Sequence, residues 1–162
     1  MKLLVITRAY GTATGGMERL SYEMVEALRT QPGFDIKVIH HHGPRLASPL
    51  FVLTSLPKAI QAARWADHIH LGDPLLALTG WFIKKITRKP VSITVHGLDI
   101  LHPNFLYQLY LKFFFDRLDA YFPISQHIKQ LLQSRHVSGR IDVLIPGTTD
   151  QHFDPKITRT QL

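Results

Sequence analysis

The sequence predicts an α/β fold, in which a parallel β-sheet carries helices on both of its faces. Short apolar segments alternate along the chain with longer segments that have the periodicity of helices. This alternation is typical of a parallel sheet that is covered on both sides. A glycine-rich stretch joins the first apolar segment to the first helical one. With 162 residues, the chain has the length of one domain and can bury a continuous core.

Six short apolar segments are predicted as strands. The first follows the N-terminus directly, and the last precedes Pro146. The fourth is rich in β-branched residues, which favour a pleated and buried position. The predicted strands are 3–7, 35–39, 68–71, 91–95, 121–124 and 141–145.

Five longer segments are predicted as helices. In the first of them, Met17, Leu20, Met24 and Leu28 fall on one face. Ser125 is a good N-cap for the last. The predicted helices are 17–30, 56–65, 74–87, 105–118 and 126–134.

The composition excludes several classes of protein. The chain has no cysteine, which excludes disulfides, thiolate metal sites and thiol catalysis and is typical of a reducing compartment. No uncharged apolar stretch reaches the ~20 residues that a membrane span needs. Met1 and Lys2 lead straight into a strand rather than into a signal peptide. We therefore expect a cytoplasmic protein.

The balance of charge favours acidic partners. The net charge is +7 and the pI is about 9.9, which suits nucleotide phosphates, nucleic acid or an anionic membrane surface. Lys84, Lys85, Arg88 and Lys89 stand at the end of a predicted helix, where cations complement the helix dipole. No RNA-binding or DNA-binding signature accompanies the charge, so nucleic acid is not an expected partner.

The stretch from Gly11 to Gly16 predicts an anion-binding turn. Glycines let backbone N–H groups approach a ligand, and the start of the following helix adds partial positive charge. A P-loop would need Lys and Ser or Thr where Met17 and Glu18 stand, and the dinucleotide fingerprint needs a different glycine spacing. The turn therefore favours another phosphate-bearing or carbohydrate ligand. The alternative is an ordinary tight turn between a strand and a helix.

Polar residues also lie at the ends of several predicted strands. His70 and Asp73 mark the end of the third strand, His96 and Asp99 follow the fourth, and Ser125 follows the fifth. In parallel α/β sheets, ligands bind at the carboxyl ends of the strands. We therefore expect these residues and the glycine turn to converge on one ligand site.

The histidines do not predict a metal site. His40 to His42 are consecutive, so their side chains alternate in direction on an extended chain. His68 and His70 share one face of a strand, but no cysteine or carboxylate is spaced to complete a metal site with them. We therefore expect no functional metal.

Five short motifs occur in a fixed order along nearly the whole chain. They read GGMER at 15–19, ADHIH at 66–70, TVHGLD at 94–99, PIS at 123–125 and VLIPG at 143–147. In their order and spacing they resemble the N-terminal domain of the GT-B glycosyltransferases of family 4. The resemblance implies a Rossmann-like domain that is one half of a GT-B fold. It also implies retaining transfer of a sugar from a nucleotide-sugar donor, without a metal ion and without a cofactor.

The resemblance also implies how the chain is divided. In that family the N-terminal domain largely holds the acceptor, and a C-terminal domain supplies most of the donor site. Residues 1–155 would be the acceptor-side domain, and residues 156–162 would begin the linker. We expect a fragment that is inactive alone, whose partners are its own C-terminal domain, a nucleotide-sugar donor and a carbohydrate or lipid-linked acceptor. The alternative is a stand-alone ligand-binding or regulatory module on the same fold.

Site residues follow from the same resemblance. His96 would be the catalytic residue, lining the cleft and contacting the donor sugar or its phosphate. Backbone N–H groups of the glycine turn would face the phosphate, where negative charge develops. Glu18 would bind acceptor hydroxyls, and Asp99 would orient the acceptor or a loop. Structural roles stay open for each: a backbone contact for His96, a turn cap for Asp99 and a favourable first-turn carboxylate for Glu18. The predicted substrate-binding residues are Gly15, Gly16, Glu18, His70, Asp99 and Ser125.

The segment 105–115 is rich in aromatic residues. Peripheral contact with the inner face of a membrane is one interpretation, because basic and aromatic surfaces favour the interface and the family often uses lipid-linked acceptors. We favour burial against the sheet, because apolar positions surround this predicted helix.

Overall fold

The computed structural model describes residues 1–11, 15–41, 51–52 and 54–146, which form one parallel sheet with helices against it. The strands are β1 (Lys2–Thr7), β2 (Asp35–His40), β3 (His68–Leu71), β4 (Val91–Val95), β5 (Ala120–Pro123) and β6 (Arg140–Ile141). The helices are α1 (Gly16–Arg29), α2 (Leu56–Trp65), α3 (Ala77–Thr87), the short α4 (Leu98–Leu101), α5 (Phe105–Phe114) and α6 (Gln126–Ser134). Within the described residues, no helix has the length and apolar character that crossing a bilayer requires.

The strand order places a reversal between β1 and β3. All the strands are parallel, in the order β2-β1-β3-β4-β5-β6. The chain adds β2 on one side of β1 and then crosses to add β3 on the other side. A crevice outside the carboxyl ends of two such strands is where parallel α/β sheets bind ligands. The predicted Rossmann-like α/β fold is confirmed.

The two faces of the sheet are packed differently. Leu4 and Ile6 of β1 point into the main core, together with buried side chains of α2, α3, α5 and α6. Leu3 and Val5 point to the opposite face, where they pack with Val25 of α1. Burying one such aliphatic side chain contributes about 1.5–3 kcal/mol, so the larger cluster is what holds most of the helical layer on the sheet.

A row of polar side chains crosses β3 and β4 on the face that carries α1. His70 is buried, and its Nδ1 lies 2.9 Å from Ser92 Oγ while its Nε2 lies 2.9 Å from Thr94 Oγ1. His68 Nε2 lies 2.7 Å from the same Ser92 oxygen. Burial, with smaller effects of His68 and His96, lowers the pKa of His70 from 6.5 to about 3. The row is therefore neutral and internally hydrogen-bonded at neutral pH.

A cavity of about 730 Å³ lies between α1 and this polar row. Leu20, Met24 and Leu28, from the predicted apolar face of α1, line it together with Phe122 of β5. Helix α1 thus covers the β1 and β2 side of this face and leaves a largely apolar opening over β3 to β5.

Most predicted elements match the structure, and two helices differ at one end. The predicted helix 74–87 begins with a 3₁₀ turn, Pro74–Leu76, before α3. The predicted helix 105–118 ends as an α-helix at Phe114 and continues as a 3₁₀ turn, Phe115–Arg117. Both differences are changes of hydrogen-bonding pattern within one turn, which apolar periodicity does not resolve.

The last predicted strand, 141–145, is wrong in extent, since β6 is only Arg140–Ile141. The N–H groups of Asp142 and Leu144 still donate to the carbonyls of Tyr121 and Pro123, at 3.0 Å and 2.9 Å. Continuing the parallel ladder would need a bond from the backbone nitrogen of residue 123 to residue 142. Because Pro123 has no N–H, the ladder ends there.

The predicted burial of the aromatic helix α5 against the sheet is confirmed for only one side of the helix. Leu111 and the following Phe115 are completely buried in the main core. Phe105, Leu106 and Phe113 are exposed. Apolar composition alone could not reveal which arc of the helix faces solvent.

Candidate functional site

The candidate site lies at the carboxyl ends of β1, β3 and β4, where the strand order reverses. Each of these strands is followed directly by polar residues or glycine: Arg8 after β1, Gly72 and Asp73 after β3, and His96 and Gly97 after β4. The parallel register brings Ile6 opposite Leu71, so the segments that follow β1 and β3 start side by side. The positions are therefore set by the sheet and not by a long loop.

Arg8 and Asp73 form the charged centre of this site. Arg8 Nε donates to Asp73 Oδ1 at 2.9 Å, and the N–H of Leu75 donates to the same oxygen at 3.0 Å. Asp73 is completely buried, which raises the pKa of its carboxyl, while the Arg8 guanidinium opposes that rise. Asp73 Oδ2 is buried without a hydrogen-bond partner among the described residues. Such an oxygen is costly unless a further donor reaches it.

Gly72 allows the ends of β1 and β3 to approach closely. Its N–H donates to the Ile6 carbonyl at 2.8 Å. A Cβ at this position would lie 2.4 Å from Thr7 Oγ1 and 2.7 Å from Thr7 Cβ. Any side chain here would push the two strand ends apart, and with them the Arg8 and Asp73 pair.

His96 is held at the same edge by the backbone of Gly72. Its Nε2 lies 3.1 Å from the Gly72 carbonyl oxygen, which can only accept a hydrogen bond. Nε2 therefore carries the proton, and in the neutral ring Nδ1 is the acceptor. The next residue, Gly97, has φ +87°, and a Cβ there would lie 3.0 Å from Ile128 Cδ1. This left-handed turn sets the direction of the chain between β4 and α4.

Two partly buried tyrosines lie near the charged groups of the site, Tyr107 near Asp99 and Tyr110 near Asp73. Burial raises the pKa of Tyr107, and the neighbouring Asp99 carboxylate raises it further. Burial raises the pKa of Tyr110 to about 12, and its hydroxyl donates to the Leu75 carbonyl while accepting from the N–H of Leu78 at 3.0 Å. Asp99 Oδ2 is also buried without a hydrogen-bond partner among the residues described. The site thus contains two acidic side chains that each have one unused acceptor oxygen in the described structure.

Three other predicted site residues, Gly15, Gly16 and Glu18, lie at the start of helix α1. Gly15 is the extended N-cap of α1, and its carbonyl accepts from the N–H of Arg19 at 3.0 Å. Among the described residues, a Cβ at Gly16 would meet nothing within 4 Å, so there is open space at this position in the first turn of α1. Glu18 lies in the first turn of α1. Residues 12–14 of the glycine turn lie outside the described residues.

Ser125 and His70 have clear structural partners. Ser125 Oγ accepts from the N–H of Ile128 at 3.3 Å, so the predicted N-cap of α6 is confirmed. His70 lies in the polar row on the face that carries α1, bonded to Ser92 and Thr94. Binding of substrate by either residue stays a prediction.

Some residues of the site were given no role from the sequence. Asp73 was placed at this edge, but its pairing with Arg8 and the position of Tyr107 beside Asp99 were not predicted. The sequence did contain one signal that could have suggested this pair. Arg8 directly follows the first predicted strand, and Asp73 follows shortly after the third. Among the residues that the structure describes, no group of three or more His, Asp or Glu side chains is close enough to hold a metal ion. That sugar transfer needs no metal ion stays a prediction.

The sequence profile of Glycosyltransferase Family 4 matches residues 14–151. The chain belongs to glycosyltransferase family 4. The match covers residues 14–16 of the glycine turn and every strand after β1, so the residues of the candidate site after Arg8 lie within it. No reviewed protein sequence shows significant similarity to the chain.

Solved structures share the fold at low sequence identity. The crystal structure of Anabaena Alr3699/HepE in complex with UDP is 20% identical, with a TM-score of 0.51, and the match covers 91% of this chain and 44% of that one. The same protein with UDP and glucose gives 19% identity and a TM-score of 0.49 over 90% and 44% of the two chains. The family 4 chain described here therefore spans less than half the length of this relative.

Proposed function

We propose that this chain is the acceptor-side half of a retaining glycosyltransferase that moves a sugar from a nucleotide-sugar donor to a carbohydrate or lipid-linked acceptor. The match to family 4 over residues 14–151 carries the proposal. The grouping of Arg8, Asp73, His96 and Asp99 where the strand order reverses supports it. The UDP in the HepE structure supports a nucleoside diphosphate as the leaving group.

The chemistry proposed suits the groups at this edge. When a sugar leaves a diphosphate, positive charge builds at the anomeric carbon and negative charge builds on the departing phosphate. Fixed donors at the phosphate stabilise that transition state. Backbone N–H groups of Gly15 and Gly16, at the start of α1, supply such donors together with the helix dipole. The transfer proposed needs no metal ion and no cofactor besides the nucleotide sugar.

His96 has a more specific role in this proposal. With Nε2 bonded to the Gly72 carbonyl, Nδ1 can accept a hydrogen bond from a hydroxyl of the donor sugar. This contact orients the sugar at the point where charge develops. Gly15, Gly16, Glu18, His70, Asp99 and Ser125 remain the predicted substrate contacts.

A second domain completes the donor site in this proposal. The structural relative is more than twice as long as this chain, and the match covers only 44% of it. We infer that most diphosphate contacts come from the protein's own C-terminal half.

Calorimetric titration of this chain with a panel of nucleotide sugars tests whether the donor site is divided between the two halves. We expect at most weak binding and no sugar transfer, and a submicromolar Kd would contradict a half-site.

The catalytic role of His96 is tested in a protein that joins this chain to a donor-binding half. We expect His96→Ala to lower kcat and kcat/KM together by at least about tenfold, since the contact strengthens in the transition state. The melting temperature should change little. His136→Asn, at an exposed histidine beyond the far end of α6, is the control. Normal kcat in His96→Ala, or a loss that follows unfolding, would contradict the role.

A further inference from the structure

Helix α4, which carries Asp99 in the candidate site, is too short to be stable by itself. It comprises Leu98–Leu101, and the N–H groups of Ile100 and Leu101 both donate to the Gly97 carbonyl, at 3.1 Å and 3.2 Å. A single helical turn costs more conformational entropy than its hydrogen bonds recover, so it persists only where other parts of the protein hold it. Ile100 is buried, but Leu101 is 54% exposed. Contacts from outside α4 must therefore fix its C-terminal end.

The side chain of Gln108, on helix α5, supplies such a contact. Its Nε2 donates to the Ile100 carbonyl at 3.0 Å and to the His102 carbonyl at 2.8 Å. Carbonyls at the C-terminal end of a helix have no partner within the helix, so a side chain or water must satisfy them. One amide group thus binds the carbonyls on both sides of the last residue of α4. Gln108 acts as a C-terminal cap that comes from another helix.

Arg135, which follows α6 directly, fixes the orientation of the Gln108 amide. Its Nη1 donates to Gln108 Oε1 at 2.9 Å. Because a guanidinium can only donate, the amide oxygen must face Arg135, and both hydrogens of the amide nitrogen face the α4 carbonyls.

Asp116 holds Arg135 in turn. Arg135 Nε donates to Asp116 Oδ1 at 2.6 Å, and the two side chains are only 19% and 18% exposed. The guanidinium therefore binds its two partners through different nitrogens, in the fixed fork that an arginine offers and a lysine does not. The result is a connected set of contacts that runs from Asp116 through Arg135 and Gln108 to α4.

The place of the Asp99 carboxylate depends on the backbone of α4. Asp99 is the second residue of the helix, and its Oδ2 is buried without a hydrogen-bond partner among the described residues. A side chain that is not held by a bond at this oxygen takes its position from the turn that carries it. What fixes the end of α4 therefore also fixes where this acceptor oxygen stands in the site.

We propose that Gln108, held by Arg135, is a positioning residue that fixes α4 and thereby places the Asp99 carboxylate for a hydroxyl of the acceptor. The part that concerns the acceptor rests on the function proposed above. Asp99 Oδ2 accepts a hydrogen bond from that hydroxyl, and a displaced carboxylate binds it less well. Gln108 and Arg135 act only through α4 and do not touch the acceptor.

Amide hydrogen exchange of the 162-residue chain, followed by NMR, tests the contact with α4 without any activity. Gln108→Glu keeps an oxygen for Arg135 but turns a second oxygen toward the two carbonyls, which removes both donors at almost the same shape. We expect the N–H groups of Ile100 and Leu101 to exchange at least about tenfold faster. Gln130→Glu, at an exposed position of α6, makes the same chemical change away from α4 and should leave these rates unchanged. Equal rates in the two variants would overturn the proposal.

A second variant tests the part played by Arg135. Arg135→Lys keeps the positive charge, but one ammonium group does not reproduce the fork that binds both Gln108 and Asp116. The same α4 amides should exchange about threefold faster than in the wild type, which is the effect of weakening one hydrogen bond. Circular dichroism and the melting temperature show that each variant is folded. Wild-type exchange rates in Arg135→Lys would overturn the role of Arg135.

Kinetics of the two-domain protein test the link to Asp99. Gln108→Glu should raise the KM for the acceptor at least about tenfold while kcat and the KM for the donor change less than about threefold. Asp99→Ala should raise the acceptor KM as well, and adding Gln108→Glu to it should raise that KM less than about twofold further, because the two residues act as a unit.

The outcomes separate this proposal from the proposed function. If the effects of Gln108→Glu and Asp99→Ala multiply, Gln108 does not act through Asp99 and the proposal is wrong. If the wild-type two-domain protein transfers no sugar, the proposed function is contradicted, and the exchange rates of α4 still decide whether Gln108 holds this turn.

Discussion

Asp73 is completely buried and accepts hydrogen bonds from Arg8 Nε and from the N–H of Leu75. Asp73→Ala would remove both bonds and leave the Arg8 charge half-buried without its carboxylate. We expect the free energy of unfolding to fall by about 3 kcal/mol, as for other broken buried pairs. Urea denaturation followed by circular dichroism measures the change.

An exposed ion pair provides the matched comparison for Asp73. Arg19 Nε lies 2.6 Å from Glu23 Oε1, and both side chains are about half exposed. Glu23→Ala should cost less than about 0.5 kcal/mol because solvent screens such pairs. Similar losses for Asp73→Ala and Glu23→Ala would show that burial does not strengthen the pair at the candidate site.

His70 makes stability depend on pH in a defined direction. Its pKa is about 3 in the folded protein and 6.5 when unperturbed, so between these values the unfolded chain binds a proton that the native chain does not. His70 therefore destabilises the fold as pH falls below about 6.5, and its full contribution is present above that value. From about pH 7 to about pH 5, the difference in unfolding free energy between wild type and His70→Asn should change by about 2 kcal/mol.

The measurement for His70 has an internal control. Between about pH 8 and about pH 7, the same difference should change by less than about 0.2 kcal/mol, because the folded state binds no proton there and the unfolded state is still mostly unprotonated. Chemical denaturation at each pH gives both values. A difference that is constant down to about pH 5 would show that His70 is protonated as easily in the folded protein as in the unfolded one.

At the residue scale, the sequence predicts side chains whose role is local better than those that depend on a distant partner. Ser125 was predicted as an N-cap, and its hydrogen bond to Ile128 spans only one turn. The pairing of Arg8 with Asp73 joins positions 65 residues apart. Local spacing contains no information on that contact, because it depends on β1 and β3 becoming neighbours.

At the scale of elements, the junction of β1 with β3 depends on the absence of a side chain at Gly72. Gly72→Ala would place a Cβ 2.4 Å from Thr7 Oγ1. We expect this overpacking to lower the free energy of unfolding by about 2 kcal/mol. Gly16→Ala, where a Cβ meets nothing within 4 Å, should instead be neutral or stabilise α1 by about 0.5 kcal/mol.

Both glycine variants are compared by thermal and urea denaturation. Equal effects of the two alanines would contradict the packing argument, since only one site is crowded. Activity in the two-domain protein adds a second readout, because Gly72→Ala displaces the Gly72 carbonyl that holds His96.

Elements with strong local signals were predicted at their exact bounds. The apolar and β-branched run of β4 and the Ser125 cap before α6 are examples. The last strand was predicted too long because its end is decided on another strand. Pro123 of β5 lacks the N–H that would continue the ladder. Its effect on the end of β6 follows only from the pairing of β5 with β6.

At the scale of the whole molecule, stability should be distributed by position in the sheet. Every residue of β4 is buried, whereas Ile39 is the one buried residue of β2, which lies at the edge of the sheet. We expect backbone amides of β1, β3 and β4 to exchange at least about tenfold more slowly than those of β2 and β6, since the edge strands can open locally. Hydrogen exchange followed by NMR or mass spectrometry measures this order. Exchange in β2 as slow as in β4 would contradict it.

The sequence by itself determined the alternation of strands and helices, most of their bounds, the family and the set of polar residues at the strand ends. These follow from periodicity, capping and motif order, which depend on residues close together in the chain. Only the tertiary structure decided the strand order, the contact of Arg8 with Asp73, the early end of β6 and the arc of α5 that faces solvent. Each depends on which elements become neighbours, because burial and hydrogen bonding across a sheet join residues that local patterns do not relate.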